Sequence, residues 1–192
     1  MQKTAQRAWL GVAIASSLFV GWTVAVKLVD VGVVGLQHGN GWWLRLVGTN
    51  PVWDLITDLI LGATLLLAMF LVLAELWRRR SGWTLVTLGL LVAVYCCFEL
   101  VVINVRPDGS GASYPSSHVL VFCTVLPMAL GRLWRCCGTH GIKIGLSVVL
   151  VAMLVLGVVG RALCGLHWLS DIVGGILGGL MLTRVDLALT FQ

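Results

Sequence analysis

Two polar clusters interrupt an otherwise apolar chain: Tyr114-Pro115-Ser116-Ser117-His118, and Gly160-Arg161-x5-His167-x3-Asp171. Arg106-Pro107 stands shortly before the first. Ionisable groups are costly in such surroundings, so their recurrence asks for a chemical reason. Two histidines, two arginines and an aspartate suit the cleavage of a phosphate ester. One imidazole can attack or abstract, the other can hand over a proton, and guanidinium groups can hold the anion.

Each residue has a plainer reading beside this one. His167 and Asp171 are four apart at the expected start of the last helix, which places them on one face a turn apart. The carboxylate can orient one imidazole nitrogen and leave the other free, although a helix N-terminus favours an acid there in any case. Arg161 reaches back across the turn Cys164-Gly165-Leu166, and Arg106 sits at the expected end of the third helix. Either one alone reads as an interfacial arginine snorkelling toward lipid phosphates. Together they could hold a dianionic phosphate and neutralise its equatorial oxygens. Pro115 suits the first position of the fourth helix, whose unpaired backbone N–H groups, with Ser116 and Ser117, would bind an anion beside His118. A capped helix start explains Pro-Ser-Ser equally well; the histidine directly after it is less ordinary.

The elements that position these residues must lie in a membrane. Apolar residues make up 59% of the 192 and charged ones 11%, where a soluble domain carries roughly 25% charged residues. A spanning helix needs about 20 mostly apolar residues, and six stretches qualify: Trp9 to Val29, Val52 to Trp77, Trp83 to Val105, Pro115 to Trp134, Ile142 to Leu163 and His167 to Leu187. Between the first two, Asp30 to Pro51 is glycine-rich, carries Trp42-Trp43, and fits an interfacial segment. The expected fold is an all-α integral membrane bundle of six transmembrane helices, a single domain over residues 1–192. Lys3 and Arg7 before the first apolar run suggest a signal peptide, but no small-x-small cleavage site precedes a polar region, so a retained first helix is expected.

The net charge of +5 is a membrane signature rather than a nucleic-acid one. With the N-terminus inside, Lys3, Arg7, Arg78, Arg79, Arg80, Arg132, Arg135, Lys143 and Arg184 fall on the cytoplasmic side, nine of the thirteen basic residues. Lys27, Arg45, Arg106 and Arg161 fall outside. Both termini are therefore expected in the cytoplasm and the polar clusters on the extracytoplasmic face. The six cysteines form no paired Cys-x2-Cys elements, which argues against structural zinc and for small buried apolar thiols. Asp54 reads as an N-terminal cap of the second helix, and Asp58, a turn deeper, as a group that meets a basic residue of the site. The glycines at 174, 175, 178 and 179 read as close-packing positions. His38 and His140 read as surface groups, and Pro127 as a kink in the fourth helix.

The three elements resemble the signature of the type 2 phosphatidic acid phosphatase (PAP2) superfamily: Lys-x6-Arg-Pro, then Pro-Ser-Gly-His, then Ser-Arg-x5-His-x3-Asp. Here they read Glu99-x6-Arg106-Pro107, Pro115-Ser116-Ser117-His118 and Gly160-Arg161-x5-His167-x3-Asp171. The resemblance spans nearly the whole chain and implies a six-helix lipid phosphatase needing no metal or other cofactor. It implies that His167 forms a phosphohistidine, Asp171 orients it, and His118 protonates the leaving group. Arg106, Arg161 and the backbone near Ser116 and Ser117 would cradle the phosphate. The implied substrate is a lipid phosphate in the bilayer, best undecaprenyl diphosphate, with phosphatidylglycerol phosphate and phosphatidic acid as rivals. A lipid phosphotransferase and a non-catalytic lipid-binding or transport protein are the alternatives.

Three positions depart from the signature. Ser117 stands for glycine and Gly160 for serine. Glu99 stands for lysine, an anion where a cation would meet phosphate. It can pair with Arg106 or Arg161, be protonated and donate to substrate, or share a divalent cation with the phosphate. The first is the preferred expectation.

Overall fold

The computed structural model describes residues 2–30, 43, 46–78, 82–107, 109, 111–135 and 138–190. Among them six helices follow in order: α1 Gln2–Asp30, α2 Pro51–Trp77, α3 Trp83–Leu100, α4 Ser117–Arg135, α5 His140–Leu163 and α6 Leu169–Thr190. All six are long and apolar enough to cross a membrane. Most of the segment expected at the interface, with Trp42, lies outside the described residues, as do His38, Arg45, Arg79, Arg80, Cys136 and Cys137. Trp43 is described, and its indole donates to the carbonyl of Ala162 at 3.0 Å.

Caps fix several of the helix ends. The Asn50 side chain accepts from the amides of Val52 and Trp53, and Pro51 takes the first helical position, where its missing N–H costs nothing. Asp54 is therefore not the cap expected from sequence. At the start of α3 a carboxylate of the preceding helix substitutes for a local cap, Glu75 Oε2 accepting from the Thr84 amide at 2.9 Å. α3 ends at Leu100, five residues short of the expected Val105. The β-branched run Val101-Val102-Ile103 supports helix poorly, and Pro107 pushes Arg106 toward extended backbone. The chain instead turns over, pairing Val105 with Ala112 as an isolated antiparallel bridge.

α4 and α6 form the centre. In their most apolar stretches 44% of residues are buried, against 6–17% in the other four helices. Glycines on α6 make this possible. A Cβ on Gly175 would lie 2.8 Å from Val119 and 2.9 Å from the Ser116 carbonyl, and one on Gly178 would lie 2.8 Å from Leu120. Without side chains at these positions the two backbones approach closely, and dispersion contacts replace the hydrophobic drive that a bilayer does not supply.

Pro127 lies inside α4 without ending it. Lacking an N–H, it leaves the carbonyl of Cys123 without its helical donor. The Thr183 hydroxyl on α6 donates to that carbonyl at 2.9 Å, which matters where no water competes. Thr183→Val should therefore cost about 1 kcal/mol, read as a lower thermal midpoint in detergent. In a Pro127→Ala background, where residue 127 supplies the N–H, the same change should cost little. Equal losses in both backgrounds would show that the threonine has another role.

Candidate active site

The loops and helix ends that carry the polar clusters meet where α1, α3 and α5 finish and α2, α4 and α6 begin. α1 braces this end: Thr23 and Tyr114 share a hydroxyl hydrogen bond of 2.7 Å, and the Trp22 indole donates to the Ser170 carbonyl at 3.0 Å. Burial pushes the Tyr114 phenol up to about 12, so it stays a neutral brace.

His167 precedes α6 rather than opening it, held in the turn between α5 and α6. Gly165 in that turn has φ +74, and a Cβ there would strike the backbone of Gly48. The His167 side chain is 2% exposed, and neither ring nitrogen has a hydrogen-bond partner among the described residues. Its Nδ1 faces Asp171 Oδ2 at 3.8 Å, an ion-pair distance but not a hydrogen bond. Asp171 is fixed by other groups. Its Oδ2 accepts from the Trp168 amide at 3.0 Å, the reciprocal contact of a capping box, and its Oδ1 accepts from Asn104 Nδ2 at 3.1 Å. Sequence reasoning misses Asn104. Its only signal there is a lone amide in the apolar run that leads to Arg106.

Arg161, 3% exposed, is not an open phosphate ligand. Its Nη1 donates to Asp54 Oδ1 at 2.6 Å and to Thr57 at 3.3 Å, and Asp58 Oδ1 lies 4.0 Å away. The same Asp58 oxygen lies 2.9 Å from His118 Nε2. Asp58 thus meets two basic residues of the site, and Asp54 is an ion-pair partner. Gly160 explains how α2 and α5 come so close: a Cβ there would lie 2.6 Å from Thr57 and 3.1 Å from Trp53. A serine at this position would collide with α2, which accounts for its absence.

Arg106 lies in the loop, half-buried, with Nε toward the Ala112 carbonyl at 3.4 Å. Among the described residues no carboxylate lies within 4.0 Å of it. A hollow of about 10 Å³ is lined by Arg106, Glu99, Tyr95, Ser117 and His167. That is room for about one water, so a phosphoryl group must displace side chains to enter. His118 is not in its wall. It stands beside it, within electrostatic reach of His167 and Arg161. Glu99 shares the hollow with Arg106, but the preferred expectation fails: no ion pair joins it to Arg106 or Arg161. With α3 ending at Leu100, the two residues lose their common helical face, and Arg161 is taken by Asp54.

α4 begins at Ser117, so Pro115 lies ahead of the helix rather than at its first position. The Ser116 amide is paired with the Asp171 carbonyl at 3.0 Å, and the first helical bond runs from Leu120 to Ser116. Ser116 therefore joins the cluster to α6 and has no amide to offer an anion. The donors shift one place, to the amides of Ser117, His118 and Val119, which lack intrahelical acceptors. Burial holds His167 below the ordinary histidine value; Arg161 adds to the effect and Asp171 opposes it. Among the described residues no three His, Cys, Asp or Glu side chains converge as metal ligands would.

No family model matches the sequence, and no curated protein matches it. The fold does have a solved counterpart. It is similar to the first transmembrane PAP2 type phosphatidylglycerolphosphate phosphatase from Bacillus subtilis, with a TM-score of 0.71 and 22% identity, over 92% of this chain and 94% of that one.

Proposed function

We propose that the chain is an integral membrane lipid phosphatase working through a phosphohistidine on His167. One observation carries this reading: a buried imidazole with neither nitrogen hydrogen-bonded among the described residues, its Nδ1 facing a carboxylate that two other donors hold still. Buried polar atoms are rarely left unsatisfied, and exceptions concentrate at functional sites. Nε2 of His167 attacks phosphorus, and the bond to the leaving oxygen breaks as His118 protonates it. Asp171 stabilises the positive charge that the ring gains. Arg106 and the amides at the start of α4 take the equatorial oxygens, with Arg161 behind them. Water, losing its proton to His118, then attacks the phosphohistidine and releases phosphate.

Because the environment disfavours the imidazolium, His167 stays neutral and nucleophilic where an ordinary histidine is already half protonated. The acid limb of phosphoenzyme formation should therefore lie below about pH 6.5. A limb at or above that value would place His167 in a different environment.

The distribution of basic residues supports an extracytoplasmic site and cytoplasmic termini. An outward-facing site with a short chain favours undecaprenyl diphosphate, cleaved to undecaprenyl phosphate and phosphate. Phosphatidylglycerol phosphate is the rival, being the lipid for which the Bacillus subtilis fold neighbour is named. Detergent-purified protein given a panel of lipid phosphates and diphosphates should release inorganic phosphate, fastest from undecaprenyl diphosphate. Label passing to a second lipid without free phosphate would indicate a phosphotransferase, and binding without turnover a carrier.

A further inference from the structure

At the opposite end of the bundle a groove of about 550 Å³ opens between α2, α4 and α5. Its floor is apolar, with Phe70 and Leu71 on α2, Leu133 on α4 and Leu150 on α5. Its mouth is not. Among the described residues Arg78, Arg132 and Arg135 line it together with Glu75, one oxygen of which accepts from the Thr84 amide, and Asp186 balances Arg132 from behind, so Arg78 and Arg135 supply the surplus positive charge. Arg132 is fixed in place: Asp186 grips it through two contacts of 2.7 and 3.1 Å, and Thr84 accepts from it at 2.8 Å. Outside the groove wall, Lys143 Nζ donates to the carbonyl of Trp134, the residue before Arg135, at 3.4 Å.

We infer that this groove holds one phospholipid of net negative charge, an acyl chain between the helices and the headgroup phosphate at the arginines. A convex lipid-facing surface would exchange any lipid that touches it. A recess with a basic mouth selects by charge as well as by hydrocarbon, because each arginine near a headgroup favours an anionic lipid by roughly fivefold. The site is independent of the proposed phosphatase reading, being built from other residues at the other end of the helices.

The test is native mass spectrometry of the full chain in detergent, with equimolar dioleoylphosphatidylserine and dioleoylphosphatidylcholine. The wild type should retain phosphatidylserine at least about fivefold over phosphatidylcholine. Arg78→Gln combined with Arg135→Gln should retain the two alike. Ala74→Trp, which fills the groove, should lose the bound lipid while keeping its thermal midpoint. His167→Ala should keep the preference, showing that the counted lipid lies away from the other site. Equal retention by the wild type, an undiminished preference in both groove variants, or a dimer that excludes lipid would overturn the inference.

Discussion

A His167→Ala variant should insert, fold and transfer no phosphoryl group. Losing the nucleophile of a covalent mechanism costs on the order of 10⁴–10⁶-fold in turnover. The protein should tolerate the change well, because among the described residues the buried wild-type ring makes no hydrogen bond through either nitrogen, a condition that itself costs about 1–3 kcal/mol. Alanine removes that cost while opening a small cavity, so the thermal midpoint in detergent should hold or rise. Activity and stability moving in opposite directions is the signature of a functional residue. His118→Ala should behave differently, losing about 10²–10⁴-fold and losing more with an alkoxide leaving group than with phosphate, which departs more readily unprotonated. Substantial hydrolysis by the His167 variant would end the assignment.

The second large effect is expected at Arg161. Arg161→Gln leaves Asp54 and Asp58, one helical turn apart, without their shared cation. Breaking a fully buried pair costs about 3–5 kcal/mol. Asp54 is 38% exposed, so a loss of about 1–3 kcal/mol is the appropriate expectation. Activity should fall further than stability accounts for, since the same guanidinium lies within electrostatic reach of both imidazoles. Asp54→Asn separates the two roles. It releases the guanidinium without removing it, so KM for the lipid phosphate should fall if Arg161 meets the anion. A lower thermal midpoint with unchanged KM would make the arginine a structural tie between α2 and α5.

The parts of the molecule legible in sequence are those set by local composition. Six apolar runs of sufficient length give six helices, and the four-residue spacing of His167 and Asp171 brings the two side chains face to face at 3.8 Å. Helix ends are less legible. The third helix stops where β-branched residues lead into Pro107, and the first turn of the fourth is displaced two residues past its proline. What sequence hides is the long-range pairing. Arg161 finds Asp54 across 107 residues and His118 finds Asp58 across 60, and nothing local to either position announces the other. Asn104 holding Asp171, and Thr183 serving the carbonyl that Pro127 leaves open, are of the same kind. Gly160 reads in sequence as a departure from serine and is in the fold a packing contact, visible only once α2 lies against α5.

The most direct test is to trap the phosphoenzyme. Rapid acid-free quenching with a ³²P-labelled lipid phosphate, followed by tryptic mapping, separates the peptide over residues 162–184, which contains His167, from that over 81–132, which contains His118 because the Arg106-Pro107 bond resists trypsin. Acid-labile label on 162–184, absent from the His167→Ala protein, is the expected result. Label on 81–132, or a burst of product with no labelled peptide, would contradict it.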